Sequence, residues 1–399
     1  MADWRALLDS EFDLYEPINL AQSLVRIASV SDTKGESEIA RYISNYLIDN
    51  GIRVEWQEVE EGRANLLAEV KGALGDGPSL LLNGHLDTVP LGSGWHYPPL
   101  GGQIIDNHLF GRGACDMKGA IAAMMYTLRL ISLFSHSLYG SVKLVLVVDE
   151  EKDNLGMKHW IERYQNEGDM IDFAVVGEPT DLNISLGHRG VAGFRVKAKG
   201  RASHAGIAEQ GANAIYLAAQ IVRGIEEKSE ELKKRADRDL GLPSLNVGRI
   251  QGGVSANVIP DFCQLEIDVR TLPDVPLEEL EQEIRNISEK AVTERGERYS
   301  IGMEQSIPHL PPVKIPRDMK EIDILARSIS DVPGEMPLFA PFPASCEASF
   351  LFSAGIPTVI FGPGRIEQAH GADEYVSVTQ VVAASRIYSL LTLRFLGGE

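Results

Sequence analysis

A histidine and an aspartate, His85 and Asp87, come soon after the apolar run 80–82 and are the first residues here whose types could act together in chemistry. If the segment is extended, their two-residue spacing directs both side chains to the same face. An aspartate so placed can orient an imidazole ring or bind what the ring binds. A histidine that ends a strand and is satisfied by hydrogen bonds is the more frequent arrangement, so this pair alone does not establish a site.

Three further apolar, strand-like runs lead into residues of the same kinds. The runs 142–148, 173–176 and 357–361 are followed by the candidates Glu150, Glu151, Glu178 and His370, and one more carboxylate, Asp116, precedes a helix-like segment. Solid apolar runs predict strands that are buried on both faces of a parallel sheet. In such sheets, binding and catalytic residues lie just beyond the carboxyl ends of the strands, so we expect these side chains to lie close together there.

The chemistry of these side chains points to a metal. Two histidines and several carboxylates, with no thiolate motif, form the ligand set that zinc, cobalt and manganese prefer. A pair of glutamates such as Glu150 and Glu151 usually lies on a solvated surface. Here the pair follows the most apolar strand of the chain, where an unpaired charge is costly to bury. The pattern therefore favours a divalent-metal site over a surface patch.

The elements that must position these residues read as an α/β architecture, a mostly parallel sheet covered by helices. Apolar residues at three- and four-residue steps predict helices, and β-rich runs predict strands, over the helical segments 16–28 and 36–50 and the strands 53–59 and 65–70. The segment 118–134 is apolar almost all round, which predicts a helix buried against the sheet.

The pattern of apolar and polar residues changes after this first part of the chain. Segments that alternate between apolar and polar residues, together with amphipathic helices, follow in the order β-α-β-β-α-β over 190–199, 213–236, 244–250, 263–269, 277–294 and 299–303. This order is that of a ferredoxin-like unit. The last strand of the first kind, with His370, comes after it. We therefore expect a domain of residues 187–305 inserted into a catalytic domain of residues 1–186 and 306–399.

Length and composition agree with two globular domains. The 399 residues exceed what one core usually fills, and 44% of them are hydrophobic. A net charge of −19 argues against nucleic acid and anionic membranes as partners. The amino-terminal residues lack the pattern of a signal peptide, and we find no run of about 18 apolar residues. With three isolated cysteines, the sequence favours a reducing, cytoplasmic setting.

Four motifs together with the inserted unit resemble the dinuclear zinc peptidase/deacylase family of the M20 type. The motifs are Gly84–Pro90, Gly113–Gly119, Asp149–Glu151 and Gly177–Thr180. The tail Gly362–Tyr375 is most similar to acetylornithine deacetylases within this family. The resemblance implies hydrolysis of the amide bond of an N-acyl amino acid. N-acetylornithine is the first choice of substrate, and succinyl-diaminopimelate desuccinylase, dipeptidase or carboxypeptidase activity is the alternative.

The resemblance also implies roles for the candidate residues. Two divalent ions per chain, zinc or cobalt, would be held by His85, Asp116 and Glu178 and by Asp116, Glu151 and His370, so that Asp116 bridges them. Asp87 would hydrogen-bond to His85 and fix its tautomer. Glu150 would take a proton from the attacking water and return it to the leaving amine.

The inserted unit carries three more residues that the resemblance makes functional. His204 would stabilise the oxyanion in the active site of a partner subunit, which implies a homodimer formed through the insertion. Arg270 would read a substrate carboxylate, and Asn257 lies in the stretch that binds substrate. His188 and Arg189 lie near the hinge, where we expect them at the surface, with a role in substrate binding as the alternative. Glu347 stands where many family members carry an aspartate near the substrate.

Two other classes of function compete with hydrolysis. A binding protein could keep the fold and lose the chemistry, but such relatives usually lose ligands or the base, and every one is present here. Nucleotide binding through Gly111–Gly119 would need a Gly-Lys-Ser/Thr ending, whereas Met117 precedes Lys118 and Gly119 follows it.

Overall fold

The structure, a computed structural model, describes residues 3–167 and 170–398. It divides into two compact units. The first consists of the chain up to Gly187, Ile315–Ala340 and the chain from Cys346 onward, and the second of His188–Lys314 and Pro341–Ser345.

The first unit begins with three helices, continues with five strands, and then has the order helix, strand, helix and strand. Its helices are α1 Trp4–Glu11, α2 Glu16–Val25, α3 Gly35–Asp49, α4 Gly119–Phe134 and α5 Leu155–Glu167. Its strands are β1 Arg53–Glu60, β2 Arg63–Lys71, β3 Ser79–His85, β4 Gln103–Ile105, β5 His108–Phe110, β6 Ser141–Val147 and β7 Phe173–Val176.

The second unit follows, and then the chain returns to the first. The elements of the second unit are β8 Gly190–Lys199, β9 Ser203–His204, α6 Ala214–Leu232, β10 Ser244–Gly252, β11 Val258–Ile259, β12 Phe262–Thr271, α7 Leu277–Arg295 and β13 Ser300–Leu310. The returning elements are α8 Lys320–Ser330, α9 Ala348–Ser353, β14 Thr358–Ile360, β15 Tyr375–Ser377 and α10 Val378–Leu396.

The main sheet of the first unit has the strand order β1-β2-β6-β3-β7-β14. Strands β6, β3, β7 and β14 run parallel, and β1 and β2 add an antiparallel edge. All residues of β3 and β7 are buried, as expected when both faces of a parallel sheet are covered. The predicted fold, a mostly parallel sheet covered by helices, is confirmed.

Helix α4 lies in the core of this unit. Nearly every residue from Gly119 to Phe134 is buried, and the helix contacts α2, α10 and the sheet. By length and hydropathy the helical stretch Ala114–Ser137 could cross a membrane, but 83% of its most apolar window is buried within the fold. A helix that is apolar all round is expected in such a core position.

The second unit is a four-stranded antiparallel sheet, β10-β12-β8-β13, with α6 and α7 packed against it. Its order β8, α6, β10, β12, α7, β13 is the predicted β-α-β-β-α-β order. Strand β13 continues to Leu310, which pairs with Val191, so the expected boundary at 305 falls inside a strand. The main segment of the compact unit extends to Lys314, and before that end the N–H of Val313 still donates to the carbonyl oxygen of His188 at 3.0 Å.

Candidate metal centre

Three neighbouring strands of the main sheet end at one edge. In the parallel ladders His85 lies opposite Val147, and Asn83 lies opposite Val176. The residues that follow β6 and β7 therefore emerge beside His85. This register brings Glu150, Glu151 and Glu178 to the histidine, as expected for the carboxyl ends of parallel strands.

The first group of potential ligands is His85, Asp116 and Glu178. The His85 Nε2 atom lies 2.9 Å from Asp116 Oδ1 and 3.8 Å from Glu178 Oε1. One ligand atom of each residue lies within 4.8 Å of those of the other two, and all three side chains are buried. This spacing is that of donors that surround a common centre.

The second group is Asp116, Glu151 and His370. The His370 Nε2 atom lies 3.2 Å from Asp116 Oδ2 and 3.1 Å from Glu151 Oε1. These ligand atoms also lie within 4.8 Å of one another. Asp116 thus directs one carboxylate oxygen to each histidine, so the two groups share this residue.

The electrostatics of the two groups favour added positive charge. Burial raises the pKa values of Glu150 and Glu178 well above the usual range of a glutamate. The hydrogen-bonded carboxylates of Asp116 and Glu151 raise the pKa of His370 to about 10. A buried cluster of carboxylates is costly unless cations compensate it. Two imidazoles and shared carboxylates are a donor set that fits a pair of divalent ions.

Asp87 makes different contacts from those expected. The His85 Nδ1 atom lies 3.0 Å from the backbone carbonyl oxygen of Asp87, whereas the nearest carboxylate oxygen is 3.7 Å away. The carboxylate instead accepts hydrogen bonds from the backbone N–H groups of Glu150 and Glu151, both at 3.1 Å. The hydrogen bond expected between Asp87 and His85 is thus made by the main chain of Asp87, because its carboxylate is turned toward the loop after β6. The backbone carbonyl orients the ring in its place.

The chain turns sharply before Glu150. Asp149 has a φ of 67°, and its backbone N–H donates to the buried carboxylate of Glu36 at 3.0 Å. Arg63 joins the two carboxylates, at 2.5 Å from Glu36 Oε2 and 2.7 Å from Asp149 Oδ1. In an extended chain, the side chains of the neighbours Glu150 and Glu151 would point to opposite faces. The turn at Asp149 changes the course of the backbone, and this lets Glu151 reach His370.

Glu347 adds a carboxylate that the sequence singled out only as a departure from the family pattern. It is fully buried, and one of its carboxylate oxygens lies within 4.8 Å of a carboxylate oxygen of Glu178 and of the Cys346 Sγ atom. In the part of the chain that the structure describes, neither of its carboxylate oxygens has a hydrogen-bond partner. The residue stands just before α9, and no spacing pattern in the sequence connects it with Glu178.

The second unit brings two of its three predicted residues together. His204 pairs with Val258 in the short ladder of β9 and β11, and the carbonyl oxygen of Asn257 accepts the N–H of Ala205 at 2.9 Å. The imidazole Nδ1 of His204 accepts the N–H of Gly206 at 3.0 Å. The roles of His204 and Asn257 in catalysis and substrate binding remain predictions.

The other residues of interest in this unit lie elsewhere on its surface and in its core. Arg270 on β12 donates from Nε to Asp268 Oδ1 at 2.9 Å, so its guanidinium already has an acidic partner. His188 is fully buried, and its Nδ1 lies 2.8 Å from the carbonyl oxygen of Arg189. The expected surface placement of His188 is therefore wrong. Arg189 is partly buried and donates to carbonyl oxygens of Leu242 and Pro343.

Comparison with known proteins gives consistent results for family and fold. The family described as peptidase family M20/M25/M40 matches residues 81–394. An acetylornithine deacetylase of Aliivibrio fischeri (strain MJ11) is 30% identical over 380 residues, which are 93% of this chain and 96% of the relative. One from Aliivibrio salmonicida is 31% identical over the same shares.

Solved structures share the fold at lower identity. The aminopeptidase PepT from Bacillus cereus matches with a TM-score of 0.77 and 20% identity, over 95% of this chain and 98% of that one. The Bacillus subtilis YXEP protein, described as a dinuclear metal binding peptidase, matches with a TM-score of 0.73 and 20% identity, over 96% and 98%.

Proposed function

The chain belongs to peptidase family M20/M25/M40, and from this premise we propose that it is a metal-dependent hydrolase that cleaves the amide bond of an N-acyl amino acid. The main support is the geometry of Asp116, whose two oxygens face His85 at 2.9 Å and His370 at 3.2 Å. A carboxylate shared in this way suits a pair of cations. Relatives of about 30% identity are acetylornithine deacetylases, which supports a deacylase.

Each group of ligands would hold one ion. His85, Asp116 and Glu178 would hold the first, and Asp116, Glu151 and His370 the second, with zinc or cobalt as the proposed metal. When bound, the ions would supply Lewis acidity toward the amide carbonyl and the attacking water. The chain itself supplies the arrangement: His85 is oriented by the carbonyl of Asp87, and Glu151 by the turn at Asp149.

Glu150 would act as the general base and acid. Burial raises the pKa of its carboxyl group, which suits a residue that takes a proton from water and returns it to the leaving amine. Its backbone N–H is held by the Asp87 carboxylate, and the braced turn at Asp149 lies directly before it. The side chain is thus placed by backbone contacts on both sides of the loop.

N-acetylornithine is the substrate that we propose first, since the relatives of about 30% identity have that specificity in their names. Succinyl-diaminopimelate, a dipeptide or a carboxypeptidase substrate is the second candidate. A human carnosine dipeptidase has the same fold, with a TM-score of 0.75, which supports the alternative at the level of fold alone.

We also propose that the second unit acts as a lid and dimerisation domain. We propose that His204 stabilises the oxyanion of a partner subunit, that Arg270 binds a substrate carboxylate after leaving Asp268, and that Asn257 contacts substrate. A homodimer would then be the active form, located in the cytoplasm, with no nucleic acid or membrane as a partner.

A substrate panel tests the proposal. Acetylornithine, succinyl-diaminopimelate and a dipeptide are assayed with the zinc-loaded and the cobalt-loaded protein, and turnover of at least one is expected. Glu150→Gln keeps the size of the side chain and should retain the metal content but lower kcat by about 10²- to 10⁴-fold. Full activity of Glu150→Gln would refute its role, and wild-type protein that holds less than one ion per chain in excess zinc or cobalt would refute the metal-dependent mechanism.

A further inference from the structure

A buried glutamate, Glu374, holds the backbone beside the shared carboxylate. Its Oε1 atom accepts the N–H of Cys115 at 3.0 Å and the N–H of Asp116 at 3.2 Å. Its own carbonyl oxygen accepts the N–H of Gly111 at 2.9 Å. The side chain is 1% exposed, so water does not compete for these contacts. Asp116 thus depends on a residue that lies 258 positions farther along the chain.

Arg112 connects the Glu374 carboxylate to the backbone of His370. One of its NH groups donates to Glu374 Oε2 at 2.6 Å, and the other donates to the carbonyl oxygen of His370 at 3.3 Å. The guanidinium also donates to the carbonyl oxygen of Leu91 and lies 5.1 Å from the ring of Trp95. Arg112 is 3% exposed. The Arg112 guanidinium therefore contacts both Glu374, which holds the Asp116 backbone, and the backbone of His370.

We propose that the ion pair of Arg112 and Glu374 is a positioning device that sets the distance between Asp116 and His370, the two proposed ligands on either side of the second ion. Glu374 holds the Asp116 backbone, Arg112 holds the His370 backbone, and their mutual contact joins the two. The inference rests on the proposed function, because it takes Asp116 and His370 to be metal ligands.

Local structure explains why a clamp is needed at this place. His370 has a φ of 63° and half of its side chain is exposed, so few packing contacts restrain its loop. Asp116 has non-helical backbone angles just before α4. Strand β15 pairs with β5, with Tyr375 opposite Phe110, and this register places Glu374 next to the segment that contains Arg112. Partners of this kind orient metal ligands and typically contribute 10- to 100-fold in metal affinity.

The two side chains have separable effects. Arg112→Lys keeps the positive charge beside Glu374 but loses the planar fork, so the contact with the His370 carbonyl is lost while Glu374 still holds Asp116. Glu374→Gln keeps the volume, but its amide can present an oxygen either to the backbone N–H groups or to Arg112, not to both. The first variant should disturb His370 alone, and the second should disturb Asp116, which serves both groups.

Metal binding by the full-length protein tests this difference without relying on turnover. Metal-depleted wild type, Arg112→Lys and Glu374→Gln are titrated with cobalt(II) and with zinc in equilibrium dialysis, and the cobalt absorption spectrum is recorded. Arg394→Lys is the matched control, because Arg394 is a buried arginine that pairs with Ser328 and Asp331 between α10 and α8.

We expect Arg112→Lys to bind one ion as the wild type does and the other about 10- to 100-fold more weakly, with an altered cobalt spectrum. Glu374→Gln should weaken both ions, and Arg394→Lys neither. Two ions bound within about threefold of the wild-type affinity in both variants would overturn the clamp. Melting of either metal-free variant far below Arg394→Lys would overturn it too, since the pair would then serve general stability. Wild type that binds no ion would refute the proposed function first.

Discussion

The carboxylate of Asp87 accepts the backbone N–H group of Glu150 at 3.1 Å, and its second oxygen accepts that of Glu151 at the same distance. The backbone carbonyl of the same aspartate lies 3.0 Å from His85 Nδ1. One residue therefore holds the proposed base and a proposed ligand through its side chain, and a second ligand through its main chain. A change at Asp87 should separate these effects.

Asp87→Asn should lower kcat and leave His85 in place. The amide has one acceptor oxygen where the carboxylate has two, so one of the two N–H groups loses its partner. We expect kcat to fall by about 10- to 100-fold, as for other residues that support a ligand, with the metal content unchanged. Steady-state kinetics and metal analysis measure both. Ser31→Ala, which removes the hydroxyl that donates to Asp87 Oδ2 at 2.6 Å, is the milder control. Equal kcat in Asp87→Asn and wild type would count against this account.

Removal of His370 should cost one ion and not the other. Its Nε2 contacts Asp116 and Glu151, whereas the group of His85, Asp116 and Glu178 does not include it. We expect His370→Ala to bind one ion per chain in place of two and to lose roughly 10²-fold or more in activity. Dialysis followed by metal analysis gives the stoichiometry. His159→Ala is the control, since His159 is exposed on α5 and its imidazole Nδ1 lies 3.0 Å from the carbonyl oxygen of Leu155 in its own helix turn. Two tightly bound ions in His370→Ala would contradict the ligand assignment.

The buried ion network behind the turn at Asp149 should contribute strongly to stability. The Arg63 side chain is 9% exposed, and those of Glu36 and Asp149 are 0% and 1% exposed. Arg63→Met would leave two buried carboxylates without their cation, which typically costs about 3–5 kcal/mol. Urea unfolding of the metal-free protein measures this loss.

The double variant Glu36→Gln with Arg63→Met should lose less stability than the sum of the losses in the two single variants. It removes the positive charge of Arg63 together with the negative charge of Glu36. Lys197→Met, in the partly exposed pair of Lys197 with Glu304 at 2.8 Å, should change the free energy of unfolding by less than about 1 kcal/mol. A similar small loss for Arg63→Met would show that the network contributes little.

Acid should weaken the second unit through Asp237. Burial opposes ionisation, but the hydrogen bond from Lys314 and two backbone N–H groups outweigh it and lower the pKa of Asp237. A lowered pKa means that the contribution to stability is complete above the pKa of the unfolded chain and disappears as the pH falls through that of the folded chain.

Because both side chains are partly exposed, we expect Asp237→Asn to lose only about 1 kcal/mol at pH 7, and progressively less as the pH falls through the pKa of Asp237 in the folded chain. Chemical unfolding over a series of pH values, monitored in the second unit, measures the difference. A loss that is independent of pH would exclude an ionic origin.

Much of the site followed from local patterns. Three apolar runs lead to His85, Glu150 and Glu178. They predicted buried parallel strands whose carboxyl ends lie side by side, and the fold has this sheet. Burial on both faces requires a continuous apolar run, and such a run is visible in a single segment of sequence. The strands of the second unit were also visible in single segments. Side chains on a strand have a period of two residues, so a strand with one buried face alternates between apolar and polar residues.

The contacts that hold these side chains were decided only by the tertiary structure. The turn of the Asp87 carboxylate toward Glu150, the burial of His188 and the clamp of Arg112 with Glu374 leave no periodic trace in the sequence. Arg112 and Glu374 are 262 residues apart and meet because β15 pairs with β5. Hydrogen bonds between distant segments depend on strand register and loop path, which are set when the whole core packs, whereas apolar periodicity is a property of each segment alone.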